Sequence, residues 1–253
     1  MASVRDEGRA GRLRAAGVEV HGCAALDGAW VRAWVPEDAW VIAAFPPDGT
    51  TDARVAEALP SCRCVYVSTT GVYGARRGVI DADTPTDDAS PKARARLDAE
   101  GQWRARGAVV LRAAGIYGPG RGLHRRMLDG TFVLPEEADK VVSRVHVEDL
   151  AALCLAALEA GSRIAGAAWP VADDAPTPQV EVVRWLAARL GVPMPRTAPV
   201  DAVPETLRHH RIVDNRAVKA ALGVTLRYPT WREGFERCLA VEARGDGIRA
   251  SGV

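Results

Sequence analysis

The segment Ser68-Thr69-Thr70-Gly71-Val72-Tyr73-Gly74 sets three consecutive hydroxyl side chains and a tyrosine behind the apolar run at 64–67. Hydroxyls so placed can hydrogen-bond a carbonyl or alcohol oxygen, and a tyrosine can pass a proton to it. The run before them is β-branched and aromatic, the make-up of a buried strand. In an open parallel sheet, a strand's carboxyl end borders the crevice where ligands bind. Downstream, Lys92 and Arg96 share one helical face at i,i+4 spacing. Arg112 closes the strand-like run at 108–112, and Gly115 opens a glycine-proline turn at 115–120. Each has a plainer alternative: a core strand entering a polar turn, a solvated cationic face, a turn and nothing more.

The elements that must position these residues alternate between helix and strand. Helical spacing is expected over 6–16, 52–59, 91–104, 148–158, 180–190, 215–222 and 230–240, with capping signals such as Ser90 before Pro91. Strand composition is expected over 18–20, 29–35, 39–45, 62–68, 108–112, 141–147 and 167–172. Such alternation argues an α/β fold, a Rossmann-like doubly wound parallel sheet. The N-terminal half reads as abbreviated. No strand is expected ahead of the helix at 6–16, and the interval after Val20 leaves no room for a crossover helix. Gly8 and Gly11 are three apart, a weak signal for a phosphate-binding turn without a preceding strand. The expected organisation is a nucleotide-binding domain at 1–172, a small C-terminal substrate lobe of helices at 173–241 and a frayed tail at 242–253.

Bulk properties narrow the classes. A chain of 253 residues with net charge +1 carries no electrostatic case for nucleic acid or an anionic membrane. No apolar run reaches the ~20 residues of a membrane-spanning helix. Five cysteines without framework spacing read as free thiols in a reducing compartment, with Cys62 and Cys64 on one face of an extended segment. The expected setting is cytoplasmic, the partner a small-molecule substrate, with a homodimer as a further expectation. No metal ligand set is expected; His209-His210 lacks a carboxylate or cysteine at metal spacing and reads as surface, and Arg208 and Arg211 flanking it could meet a phosphate but read as scattered surface arginines.

Five segments in order resemble the short-chain dehydrogenase/reductase superfamily, in its extended and atypical NAD-dependent epimerase/dehydratase-like branch. They are 67–74, 90–100, 111–120, 145–150 and 213–234. The resemblance implies an NAD(P)-binding oxidoreductase acting on a small or sugar-like substrate. It gives Thr69 the role of hydrogen-bonding the substrate oxygen. It puts Lys92 where the family has its catalytic tyrosine and Arg96 where it has the partnering lysine, just before Leu97-Asp98-Ala99-Glu100. Lys92 next to a second cation could act as a base; Tyr73 is the substitute acid/base candidate. Ser68, Arg96, Arg112 and Gly115 fall to the cofactor. NAD and NADP are not distinguished, because Gly22-Cys23-Ala24 offers neither the ribose-binding Asp nor a phosphate-binding Arg. The missing glycine-rich loop weighs against cofactor binding. It leaves two rival readings: a catalytically inactive scaffold of the same fold, or a chain begun downstream of its natural first strand. His146 is expected to be structural.

Overall fold

The structure is a computed structural model describing residues 1–4, 6–23, 25–203, 208 and 210–244; the expectations for Ala24, His209 and the tail beyond 244 fall outside the described residues. The chain opens with β1 (Ala2–Val4), α1 (Glu7–Ala15), β2 (Val20–Gly22), α2 (Gly28–Trp34) and β3 (Trp40–Ala43). Then come α3 (Thr51–Ala58), β4 (Arg63–Thr69), a 3₁₀ turn (Thr70–Tyr73), β5 (Gly78–Ile80), α4 (Pro91–Ala105) and β6 (Val109–Ala113). Next are β7 (Gly115–Tyr117), α5 (Leu123–Leu128), β8 (Leu134–Pro135), β9 (Val141–Val142), β10 (Arg144–His146) and α6 (Val147–Ala160). The last are β11 (Ala168–Val171), β12 (Thr177–Pro178), α7 (Gln179–Leu190), β13 (Thr197–Ala198), β14 (Arg211–Val213), α8 (Arg216–Leu222) and α9 (Trp231–Ala243).

The central sheet is parallel, in the order β11-β6-β4-β3. Because strand side chains alternate in facing, β4 and β6 split their residues between two cores. Cys64, Tyr66 and Val110 pack with Ala99 and Trp103 of α4 and with Val55 of α3. Val65, Val109 and Leu111 pack with Leu153, Ala157 and Leu158 of α6. The result is helix, sheet, helix, the layering expected of strand–helix alternation. A third core joins Met127 of α5, Val183 and Leu186 of α7, and Trp231 and Phe235 of α9 into a helical lobe beside the carboxyl edge.

Two expectations for the N-terminal half are corrected. A first strand is present: β1 pairs in parallel with β2 through Ala2↔Val20 and Val4↔Gly22. The alternation at 29–35 belongs to a helix rather than a strand. Asp27 caps α2 by accepting the Trp30 N–H at 2.9 Å, a signal that outweighs the β propensity of Trp and Val. The abbreviation survives in another form. The β1–β2 ladder stands apart from the four-stranded sheet, and at its β3 edge Trp40 and Ile42 are 50% and 45% exposed.

The helix ends follow their sequence signals. Ser90 accepts the Ala93 N–H at 3.1 Å ahead of Pro91, and Thr230 with Glu233 forms a reciprocal capping box on α9. Residues 242 and 243 belong to α9, not to a frayed tail.

Candidate functional site

The carboxyl ends of β4 and β6 open onto a cavity of about 980 Å³ that reaches into the helical lobe. On the sheet side its wall includes Ser68, Thr69, Thr70 and Gly71, then Ala113, Ala114 and Gly115, with Pro46 and Pro47 after β3. On the lobe side it includes Tyr117, Leu123, Phe132 and Phe235. This size suits a drug-sized or dinucleotide-fragment ligand.

Register decides which predicted residues face the cavity. In the β4–β6 ladder Ser68 sits opposite Arg112 and Thr69 opposite Ala113. Ser68 and Arg112 therefore share the face covered by α4 and meet Glu100 there. Ser68 Oγ donates to Glu100 Oε1 at 2.6 Å, and Arg112 Nη2 donates to Glu100 Oε2 at 2.8 Å. The three residues are buried, so the ion pair is desolvated and each partner depends on the others. Burial pulls the Arg112 guanidinium down, but the Glu100 carboxylate more than offsets this and its pKa is raised. Ser68 touches the cavity wall with its proton already committed to Glu100. Arg112 is not among the wall residues.

Tyr73 is likewise placed away from the cavity. It is fully buried with Val72 and Ile80, and its hydroxyl accepts from Arg112 Nη1 at 3.2 Å. Burial raises its pKa, which keeps the phenol protonated. Thr69 stays on the wall. Its Oγ1 accepts the Gly71 N–H at 3.1 Å, leaving the hydroxyl proton available to a ligand. Gly115 is also on the wall, its N–H bonded to Ser143 O at 3.3 Å.

Lys92 and Arg96 both line the cavity from the first turns of α4. Lys92 is exposed. Arg96 donates to the Tyr66 hydroxyl at 2.8 Å and to Phe45 O at 3.4 Å, which aims it along the sheet edge.

Of the remaining cations, sequence reading missed three and took the fourth, Arg211, for a scattered surface residue. Arg121, Arg126, Arg144 and Arg211 join Lys92 and Arg96, giving six basic side chains and no Asp or Glu among the wall residues. Arg211 reaches the carbonyls of Thr70 and Gly74 and so pins the turn after β4. Arg144 could have been found: a charged residue inside the apolar run 141–147, at a position that points inward, is rare unless it has work to do. Arg121 and Arg126 follow the glycine-proline turn with no such signal.

The second buried network is structural. His146 caps α6, its Nδ1 accepting the Glu148 N–H at 3.2 Å, and burial lowers its pKa. Asp149 receives the N–H groups of Arg227 and Tyr228 at 2.7 and 3.1 Å, tying the C-terminal segment to α6. Glu242 of α9 accepts from Gly120 N at 2.6 Å and pairs with His124 Nε2 at 2.7 Å, fixing the loop at the cavity's mouth. Gly234 must be glycine, since any Cβ there would collide with the Tyr117 hydroxyl. Cys62 and Cys64 are free thiols on one face, their Sγ atoms 3.2 Å apart. Among the described residues no helix is long and apolar enough to cross a membrane.

No protein-family model matches the chain. A Streptomyces 3-diazoavenalumate denitrifying reductase is 33% identical over 172 residues, 62% of this chain and 56% of that protein. The chain thus spans little more than half the length of that curated relative. Among solved structures, a conserved protein of unknown function from Silicibacter pomeroyi is 28% identical with a TM-score of 0.74, over 96% of this chain and 90% of that one. MoeE5, solved in complex with UDP-glucose and NAD, is 20% identical with a TM-score of 0.74, over 95% of this chain and 96% of its own. With its parallel sheet and its match to such structures over most of its length, the chain has the Rossmann-like fold of the epimerase/dehydratase type that its sequence resembles.

Proposed function

We propose that the protein is an NAD(P)-dependent oxidoreductase of atypical short-chain dehydrogenase/reductase type, acting on a small anionic molecule. The observation that carries this reading is the cavity at the carboxyl edge, walled by Thr69 and by six cations without a carboxylate. A nicotinamide dinucleotide and an acidic substrate are both anions, and a cationic pocket of low dielectric concentrates them. The reductase relative and the NAD complex of MoeE5 support the same chemistry.

The residues fit one half of the cofactor. The backbone at 113–115 and the Thr69–Gly71 turn form the edge of the cavity along which the nicotinamide and its ribose would lie, and Lys92 and Arg96 bring cations to it. The β1–α1 turn does not fit a diphosphate in the manner of a glycine-rich loop. Asp6 occupies that helix start, its Oδ1 accepting the Arg9 N–H at 2.7 Å, and Glu7 adds a second carboxylate in the first turn. Both oppose an anion where the helix dipole would otherwise attract one. The diphosphate is therefore left to side-chain cations.

When bound, the nicotinamide supplies or accepts hydride. The chain's own part is narrower. Thr69 donates its free hydroxyl proton to a substrate oxygen, and Lys92, in the family's tyrosine position, offers a mobile ammonium at the mouth for proton delivery. Tyr73 is too deeply placed for that role.

The competing reading, a binding protein of the same fold without turnover, is favoured by Asp6 and Glu7 at the β1–α1 turn and by Lys92 in the tyrosine position. Titrating NADH and NADPH into the full chain, followed by nicotinamide fluorescence and thermal shift, separates them. Saturable binding of either cofactor is expected; silence at millimolar concentration overturns the proposal.

A further inference from the structure

One cation on the cavity wall lacks the charge its surroundings should supply. Arg144, the first residue of β10, is only 6% exposed. Nη1 donates to Val142 O at 2.9 Å and Nη2 to the Gln179 side-chain oxygen, both neutral acceptors. The guanidinium fork holds more N–H donors than those contacts use. Among the described residues no carboxylate lies within the 4.0 Å of an ion pair. A buried guanidinium without a counter-ion is costly unless something else completes it.

Its surroundings indicate what that would be. Asp173 acts on Arg144 electrostatically, but burial pushes the Asp173 carboxyl up to about 7, so it supplies only part of a charge at neutral pH. The Tyr117 hydroxyl is buried without a partner and abuts Gly234 of α9, while its ring stands on the same wall. Beside them the wall is aromatic: the Tyr117 ring itself, Phe132 and Phe235. A single buried cation, a neutral amide and flat apolar sides match a planar monoanion better than a diphosphate, which carries more charge than one guanidinium neutralises.

We propose that Arg144 seats the carboxylate of an aromatic acid, with the ring against the apolar lobe side of the wall. This names the substrate class for the oxidoreductase reading above and rests on it for the acid's fate, though not for its binding. Gln179 holds the guanidinium in place and leaves its outer donors to the ligand. Sugar nucleotides, whose phosphates would need several of the rim cations at once, are the alternative occupant.

The test is a calorimetric titration of the full chain with benzoate and trans-cinnamate, and with benzamide and cinnamamide as uncharged matches. Each acid is expected to bind at least roughly tenfold tighter than its amide, since a charge-assisted bidentate contact is lost in the amide. Gln179→Glu places a carboxylate of the chain itself against Arg144. It is expected to keep the protein folded, to raise its melting temperature and to erase the preference for acids. Arg144→Gln is expected to erase it as well. Equal binding of acids and amides, no binding of either acid, or an acid preference that survives Gln179→Glu overturns the proposal, as does UDP-glucose binding where the acids fail. Acid binding without cofactor binding upholds Arg144 as the anchor and sinks the oxidoreductase reading instead.

Discussion

Ser68 lies directly across the β4–β6 ladder from Arg112, and the two reach the same carboxylate, that of Glu100 on α4. This bond network joins the central sheet to the helix that carries Lys92 and Arg96. Its members look like site residues in sequence and act as a buried clamp in the fold.

Removing Glu100 leaves the Arg112 guanidinium buried and uncompensated. Glu100→Ala is expected to lose about 3–5 kcal/mol of stability, read as a lowered denaturant midpoint at constant slope. The double variant Glu100→Leu with Arg112→Leu should recover much of that loss, because it leaves no orphan charge. A single variant as stable as the wild type would contradict the clamp.

Tyr73 separates structure from chemistry. Tyr73→Phe deletes one hydrogen bond, that from Arg112, and is expected to cost about 1 kcal/mol of stability. Any turnover should stay within roughly twofold of wild type, since no transition-state contact is removed. A large fall in kcat at unchanged melting temperature would return Tyr73 to the candidate acids.

Thr69 should behave in the opposite way. Thr69→Val keeps shape and β propensity but removes the free hydroxyl, with an expected fall in kcat/KM of roughly a hundredfold. Thr69→Ser should restore most of it. Circular dichroism of both variants should match wild type; Thr69→Ser should also keep its melting curve, while Thr69→Val, which loses the acceptor of the Gly71 N–H, should be about 1 kcal/mol less stable.

Asp173 predicts a pH dependence of stability. Burial raises its carboxyl from 3.8 to about 7 in the folded state. Between those values the folded chain holds a proton that the unfolded chain has released, so stability falls as pH rises across that window. The full effect is on the order of a few kcal/mol. Asp173→Asn, which can keep the bond from the Ala175 N–H, should flatten the curve and gain most above pH 7. Urea midpoints measured from pH 4 to 8 check both the slope and its removal.

Much of the scaffold was legible because it is written in local signals. The patterns at 62–68 and 108–112 gave the two central strands to within a residue or so, and Ser90 before Pro91 marked a helix start that the structure keeps. Residues 29–35 went astray because alternating Trp and Val suit a strand, while the deciding signal was one Asp two residues upstream. β1 was missed because three residues carry too little pattern to rise above noise. The cavity's charge was hidden for a different reason. Arg121, Arg126, Arg144 and Arg211 come from separate loops and strands, and only the chain's return through α9 and β14 gathers them around one space. Which hydroxyl faces that space was equally out of reach, since a shift of one residue in the β4–β6 register would exchange Ser68 and Thr69.

The contact between Glu242 and the Gly120 N–H spans 122 positions of sequence. The loop that borders the mouth is held by the last helix, so a growing polypeptide on the ribosome has its sheet in place well before it has an entrance of fixed shape. Ligand capture is thereby postponed until α9 has been made, and a chain shortened ahead of α9 should keep its layered body while losing its grip on small molecules.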